Sequence, residues 1–341
     1  MQLPSQLLEA IDGMTKAGGT KTLRAAAARL SRRYQAEAPE LPAIRTDDER
    51  LAYLLTRLPA TFAAVSRALA LVCPHLPQRG QAGGACAGEA GIETMLDLGC
   101  GPGTAAWAAV EALPGIRQIR LLEGDPAMIR LGRQLAEASP SAALAGAEWV
   151  CSDLRSELPA GSFDLVVASY SLGELSAASQ MECLRRAWSR TGKLLLVIEA
   201  GTRAGFGHIH RARQQLIAWG ARLAAPCPHH APCPMAAAGD WCHFAARVER
   251  TAAHRQLKDG ELGYEDEKFS YLAAPRMDCA PADSRIVRHP AYHGGFVELQ
   301  LCSAQGLRSQ TIGRSRKQLY RSARKASWGD AWAPPSEDAM P

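Results

Sequence analysis

The chain has 341 residues, 47% of them hydrophobic and only 6% aromatic, with a formal net charge of +5. That length buries a sizeable core and more than one structural unit; the basic excess is small, so its placement matters more than its total. No apolar run is expected to span a bilayer: the best, 60–72, is short and broken by Arg67. The N-terminus has no signal-peptide core, and its Arg-bearing helices also carry Glu9, Asp12, Glu37 and Glu40, so a cytoplasmic protein without a membrane partner is expected. Ten cysteines in a reducing compartment argue for metal rather than a disulfide framework.

Residues 1–75 read as a helical subdomain, with apolar residues at helical spacing over 3–14, 20–34 and 47–71 and Thr46 as a candidate N-cap. It packs on the sheet, or else offers Arg24, Arg29, Arg32 and Arg33 to a partner. A linker at 76–91, rich in Pro, Gly, Gln and Ala, follows.

Strands and helices then alternate over 92–204. Strands are expected at 92–98, 119–122, 149–151, 163–169 and 194–199, with helices at 105–113 and 127–137, which predicts an α/β, doubly wound parallel sheet. Segments 269–272 and 296–302 are expected to complete it as a hairpin. The first strand runs into Asp97-Leu98-Gly99-Cys100-Gly101-Pro102-Gly103. Glycines there let backbone approach a ligand, and the helix that follows offers unpaired N–H groups. Such a loop serves nucleotide and methyl-donor sheets alike; Asp97, two residues before the first glycine, resembles the first motif of S-adenosylmethionine-dependent methyltransferases. Glu123, closing the second strand, is placed to accept ribose hydroxyls. Asp153, closing the third, is placed to address an adenine amine. The cofactor-binding candidates are therefore Asp97, Gly99, Gly101, Gly103, Glu123 and Asp153. For the methyl acceptor there is no Asn-Pro-Pro-Tyr motif and no cysteine loop of the cytosine C5 type, so catalytic residues stay unassigned. After the fourth strand, Tyr170 is a candidate pocket wall and Glu174 a candidate base, with purely structural roles as the alternative.

The most distinctive segment is Pro226-Cys227-Pro228-His229-His230-Ala231-Pro232-Cys233-Pro234, followed by Trp241-Cys242-His243. Three cysteines in sixteen residues, two of them followed by proline, are hard to explain by core packing. Zinc sites usually pair cysteines about two to four residues apart, closer than the five and eight residues between these. A cuboidal iron–sulfur cluster accepts irregular spacing and a distant fourth ligand. Cys302 is the candidate fourth, with Cys279 in reserve; His229, His230 and His243 keep zinc open. Cys73, Cys86, Cys100, Cys151 and Cys183 stand alone and read as small apolar residues.

The last stretch, 303–341, reads as a basic aromatic tail. Arg314, Arg316, Lys317, Tyr320, Arg321, Arg324 and Lys325 precede the first acid at Asp330, with Trp328 and Trp332 interleaved. Positive charge gives phosphate affinity and aromatics offer stacking for unpaired bases. Arg285, Arg288 and His289, and His208, His210, Arg211 and Arg213, are expected to add to an RNA-contacting surface; a solvated helix is the alternative.

Taken together, these stretches resemble the methyltransferase-like proteins associated with assembly of the mitochondrial small ribosomal subunit, and their bacterial relatives. The matching residues are Arg57-Leu58-Pro59-Ala60-Thr61-Phe62, the loop at 97–103, and Tyr170-Ser171-Leu172-Gly173-Glu174-Leu175. They continue through Glu199-Ala200-Gly201-Thr202 and Gly205-Phe206, the cysteine segment, Phe269-Ser270-Tyr271-Leu272, Arg285-Ile286-Val287-Arg288 leading to Cys302, and 320–330. Ala200 departs from the pattern, where proline is expected. The resemblance implies an S-adenosylmethionine-dependent methyltransferase (Rossmann-like) sheet with an N-terminal helical subdomain and a cysteine-rich metal-binding insertion, 205–302. It implies a [4Fe-4S] cluster on Cys227, Cys233, Cys242 and Cys302, and a role on the small ribosomal subunit and its rRNA, with or without methyl transfer. A bacterial, cytoplasmic member is expected because no mitochondrial presequence is evident. Two other readings stay open: a small-molecule methyltransferase with structural zinc, and a redox sensor in which cluster state controls RNA binding.

Overall fold

The computed structural model describes residues 1–16, 18–35, 44–76, 91–258 and 262–333. The predicted linker with Cys86, residues Glu37 and Glu40, and the end of the tail lie outside them.

Four helices come first: α1 (Ser5–Thr15), α2 (Thr20–Gln35), α3 (Asp47–Thr56) and α4 (Leu58–Val72). Thr46 caps α3 by accepting the Glu49 N–H at 3.3 Å. The helix predicted over 47–71 is two helices, divided at Arg57, because Pro59 has no N–H and its ring crowds the preceding turn. Running on into a 3-10 turn, α4 reaches 18 residues over Leu58–His75, long and apolar enough by composition to cross a membrane; 72% of that window is buried inside the protein. Its apolar surface is spent on the core it shares with the sheet.

The sheet follows: β1 (Thr94–Leu98), α5 (Thr104–Ala112), β2 (Gln118–Glu123), α6 (Pro126–Glu137), α7 (Ala142–Ala145), β3 (Glu148–Cys151), β4 (Phe163–Ser169), α8 (Ala177–Arg190), β5 (Thr191–Ala200) and α9 (Arg203–Ala218). Then come α10 (Pro234–Ala237), β6 (Phe244–Glu249), α11 (Ala252–Lys258) and β7 (Tyr264–Pro275). The strand order is β3-β2-β1-β4-β5-β7-β6. The first five strands are parallel, and β7 runs antiparallel between β5 and β6. Helices cover both faces. One core joins α1–α5 to Met95, Leu121, Leu165 and Leu196; the other joins α8 and α9 to Leu96, Leu122, Val166 and Leu195. Strands buried on both faces read as continuous apolar runs, which is why they were legible. This is a Rossmann-like, doubly wound arrangement with an antiparallel strand inserted next to its edge.

The predicted closing hairpin is wrong in its second half. Phe269–Leu272 does enter the sheet, within β7, but its hairpin partner is β6. Residues 296–302 belong to a separate antiparallel sheet made of β8 (Ser284–Ile286), β9 (Ala291–Tyr292), β10 (Phe296–Ser303), β11 (Gly306–Gly313) and β12 (Ala331–Trp332). Its order is β11-β10-β8-β12, with β9 on β10, and α12 (Lys317–Lys325) covers one face. Ile286, Val297, Leu299, Leu301, Ile312, Ala323 and Trp332 form its core. The stretch read as a tail is thus folded through Trp332. Trp328 is 9% and Trp332 5% exposed, both packed inside rather than offered to bases. Apolar alternation in β10 signalled a strand but could not say which sheet it joins.

Candidate functional site

The glycine loop has the local chemistry its sequence requires. A side chain on Gly99 (φ 67°) would put its Cβ 2.6 Å from Ser171 Cβ, and Gly103 (φ 81°) starts α5 from the left-handed region. Asp97 is fully buried, and neither carboxylate oxygen has a hydrogen-bond partner among the described residues. Burial, and then the nearby Glu123 charge, push its carboxyl up to about 8. The hydroxyls of Thr104 and Ser171 are likewise buried and unsatisfied. Buried polar groups normally find partners, so four orphaned oxygens round one glycine loop mark a place where a polar ligand supplies them.

Glu123 accepts the Gly101 N–H and the Asp125 N–H, each at 2.8 Å, and burial raises its pKa. It therefore braces the loop as well as facing it. Asp153 is not drawn in: it is exposed and accepts the Arg155 N–H (2.7 Å) and Nη1 (3.2 Å), a turn carboxylate. Sequence reasoning missed the roof. Arg50 pairs with Asp125 at 2.8 Å, fixing α3 to the end of β2, and Tyr53 Oη lies 3.8 Å from where a Gly101 Cβ would be. Arg57 stacks over the Tyr34 ring (5.4 Å) and approaches Glu267 (3.8 Å), whose carboxylate accepts the Tyr170 hydroxyl (3.0 Å). The spacing of Arg50, Tyr53 and Arg57 at i, i+3 and i+7, along α3 and at its C-cap, was the available signal.

Cys227, Cys233, Cys242 and Cys302 line a single pocket, with about 560 Å³ of space including its mouth, at the joint between the two sheets. Cys279 does not line it. α9 and β7 supply one wall through Arg213 and Leu272; β8, the residue after it and β10 supply another through Arg285, Val287 and Cys302. Cys302 sits on β10 opposite Arg285 of β8, its neighbour Leu301 pointing into the other core. Burial raises the Cys227, Cys242 and Cys302 thiols, and the cysteines raise one another. Arg213 donates Nε–H to Cys227 Sγ at 3.2 Å and Nη2 to the His229 and Ala231 carbonyls. Arg285, 1% exposed, donates to the Pro226 and Gly329 carbonyls and approaches His75 Nε2. Neither arginine reaches a carboxylate among the described residues, so two buried cations border four thiols with no anion to offset them.

Of the histidines, His229 faces Cys302 Sγ at 3.5 Å, with Nδ1 unpartnered. His230 accepts the Leu223 N–H, and His243 stacks on Trp241 and meets Trp328 edge-on. Among the described residues no three His, Cys, Asp or Glu side chains converge on one point as ligands of a single ion do. Cys73, Cys100 and Cys183 are buried as expected; Cys151 is exposed, contrary to its reading as an apolar residue.

The basic surface is smaller than the sequence suggested. Arg213 and Arg285 are buried at the thiol pocket, and Arg288 is held by Asp240. Arg211 and His289 stay exposed, and on α12 and its approach Arg314, Arg316, Lys317, Arg321, Arg324 and Lys325 are exposed, none of these six forming a salt bridge among the described residues. Ala323, Leu319 and Tyr320 face the second core, and Arg324 lies over the Tyr292 ring at 5.1 Å. Tyr320 is half-buried, and exposed Tyr292 was missed.

Known proteins match this chain along much of its length. The human ribosome assembly protein METTL17, mitochondrial, is 28% identical over 305 residues, covering 84% of this chain and 62% of the human protein. The Rsm22-cox11 tandem protein 2, mitochondrial, of Schizosaccharomyces pombe is 26% identical over 293 residues, 69% of this chain and 38% of that one. The chain thus spans about three fifths and two fifths of the length of these relatives. Among solved structures, magnesium protoporphyrin IX methyltransferase (ChlM) from Synechocystis with bound SAM aligns at TM-score 0.38 and 12% identity, over 72% of this chain and 90% of that chain. The family model described as mitochondrial small ribosomal subunit Rsm22 matches residues 47–333, from the helices that roof the glycine loop to the last strand of the second sheet, and this chain belongs to that Rsm22 family.

Proposed function

We propose that the chain is a small-ribosomal-subunit assembly protein that binds S-adenosylmethionine at the glycine loop, holds a [4Fe-4S] cluster at the joint of its two sheets, and contacts rRNA through α12. The observation that carries this reading is the thiol pocket: four cysteines from distant parts of a family member meet where the methyltransferase sheet joins the basic sheet.

The residues fit both ligands. Asp97 offers an uncompensated buried carboxylate to the cationic end of the donor, and Glu123, the Gly101 turn and Tyr53 enclose the rest. At the joint, each thiol of a cuboidal cluster binds its own iron, so ligands spread round a pocket suit it better than a single zinc. The cluster, when bound, supplies negative charge and a cross-link between the sheets. Arg213 and Arg285 are placed to offset that charge, and the prolines after Cys227 and Cys233 keep the loops open to the thiols.

For RNA, α12 turns an apolar side to its own sheet and a row of unpaired cations outward. Reversing Arg316, Lys317, Arg321 and Arg324 to glutamate is expected to leave thermal stability unchanged, because all four are exposed, and to weaken binding to small-subunit particles by more than tenfold at moderate salt. The slope of log affinity against log salt should fall as those phosphate contacts are lost. Sedimentation binding measurements that give equal affinities for both proteins would remove α12 from the interface.

A further inference from the structure

One corner of the second sheet carries exposed rings that neither the glycine loop nor the thiol pocket uses. β9 and β10 form a hairpin whose turn is His293-Gly294-Gly295-Phe296, closed by the His293 N–H on the Phe296 carbonyl at 2.9 Å. The Gly295 carbonyl accepts the Arg314 N–H at 3.1 Å, which ties the turn to the approach of α12. The exposed His293 ring stacks on Phe296, with centroids 4.3 Å apart and planes 19° from parallel. Tyr292, 49% exposed, donates its hydroxyl to the Ala326 carbonyl just past α12 at 3.0 Å, and the Arg324 guanidinium lies over its ring.

Folding does not require this arrangement. Neither Gly294 nor Gly295 stands at a left-handed φ, and a Cβ on either would meet nothing within 4 Å, so the turn has room for side chains that it lacks. Its backbone is left bare to a molecule lying on the rings. Tyr292 and Phe296 belong to none of the apolar cores among the described residues. Charge favours one class of occupant. From His289 to Lys325 the chain carries seven Lys or Arg and a single acid, Glu298, which Ser309 and Gln300 already engage. Flat rings among cations without counterions hold a base by stacking and its phosphates by charge, whereas a duplex hides its base faces.

We infer that this corner is a stacking platform for unpaired RNA bases, with Tyr292 and the His293–Phe296 stack each offering a ring face and Arg314 and Arg324 taking the flanking phosphates. The inference rests on the reading of α12 as an RNA contact and deepens it. The helix supplies affinity for any phosphate backbone, and the corner selects single-stranded over paired RNA. Arg324 belongs to both, as a phosphate ligand on α12 and as the cation over Tyr292.

The test uses the full-length chain with three probes: a short single-stranded RNA carrying a central 2-aminopurine, the same strand annealed to its complement, and polyglutamate. The wild type is expected to bind the single strand more tightly than the duplex, although the duplex carries more charge, and to quench the 2-aminopurine as it stacks. Tyr292→Ala and His293→Ala should each weaken single-strand binding about tenfold, reduce the quenching, and leave duplex binding and the salt slope unchanged. Tyr292→Phe keeps the ring without the bond to Ala326 and should recover most of the affinity lost in Tyr292→Ala. Reversing the α12 charges lowers affinity for both RNAs together with the salt slope. Undiminished single-strand binding by both alanine variants, equal losses for strand and duplex, or equal losses in Tyr292→Phe and Tyr292→Ala would overturn the platform and leave α12 standing as a phosphate contact. Displacement of the strand by polyglutamate as readily as by unlabelled RNA would do the same, marking a site for any polyanion. No RNA binding by the wild type overturns both.

Discussion

Asp97→Asn is expected to make the protein more stable at neutral and alkaline pH while abolishing donor binding. The carboxyl of Asp97 is buried without a hydrogen bond and is pushed up to about 8, against about 4 in an unfolded chain. Between those values the folded state holds a proton that the unfolded state releases, so stability falls as pH rises from about 4 to about 8. Asparagine cannot ionise and removes that slope. The gain above pH 8 is on the order of a few kcal/mol, or several degrees in midpoint. The loss follows from the same feature: the carboxylate is the group that meets a cationic ligand, and its burial strengthens that attraction. Thermal melts of both proteins across pH 5–9, with calorimetric titration of S-adenosylmethionine, check the pair of effects. Parallel stability curves, or donor binding retained by the asparagine variant, would show that Asp97 is an ordinary core residue.

The second large effect is expected at the thiol pocket. Cys242→Ser should strip the metal and release the second sheet from the first. Apart from the pocket, that joint relies on Arg285, on the Arg67–Asp330 pair and on the packing of Trp328. Thiolate ligation couples metal binding to local folding, so the cost is on the order of 5 kcal/mol or more, expressed as low soluble yield. Limited proteolysis should cut within 226–242 and 276–333 while the helices and β1–β5 stay protected. Cys279→Ser, outside the pocket, serves as the matched control and should behave as wild type. A Cys242→Ser protein with normal yield, metal content and protease resistance would contradict the account.

Much of this was readable in the chain. Strands β4 and β5 carry unbroken apolar runs at 165–168 and 194–198 because helices cover both their faces, and the glycines at 99 and 103 stand where backbone geometry excludes side chains. The cysteine segment announced itself by its prolines. What could not be read is pairing over long separations. Nothing local tells Phe296–Ser303 that its partners are β8 and β11 rather than β7. Charge was overread for a related reason: Arg213 and Arg285 look like surface cations in sequence, yet each spends its guanidinium on carbonyls beside the thiols. Asp153 does stand at the expected strand end, where its carboxylate accepts the N–H of its own turn.

The measurement that bears most directly on the central claim is anaerobic purification followed by an absorption spectrum and iron, sulfide and zinc analysis of the same sample. The account predicts a brown protein with about four irons and four sulfides per chain and no zinc. One zinc per chain and no iron would contradict it, leaving the glycine loop as a donor site on a protein whose cysteines form a structural knuckle.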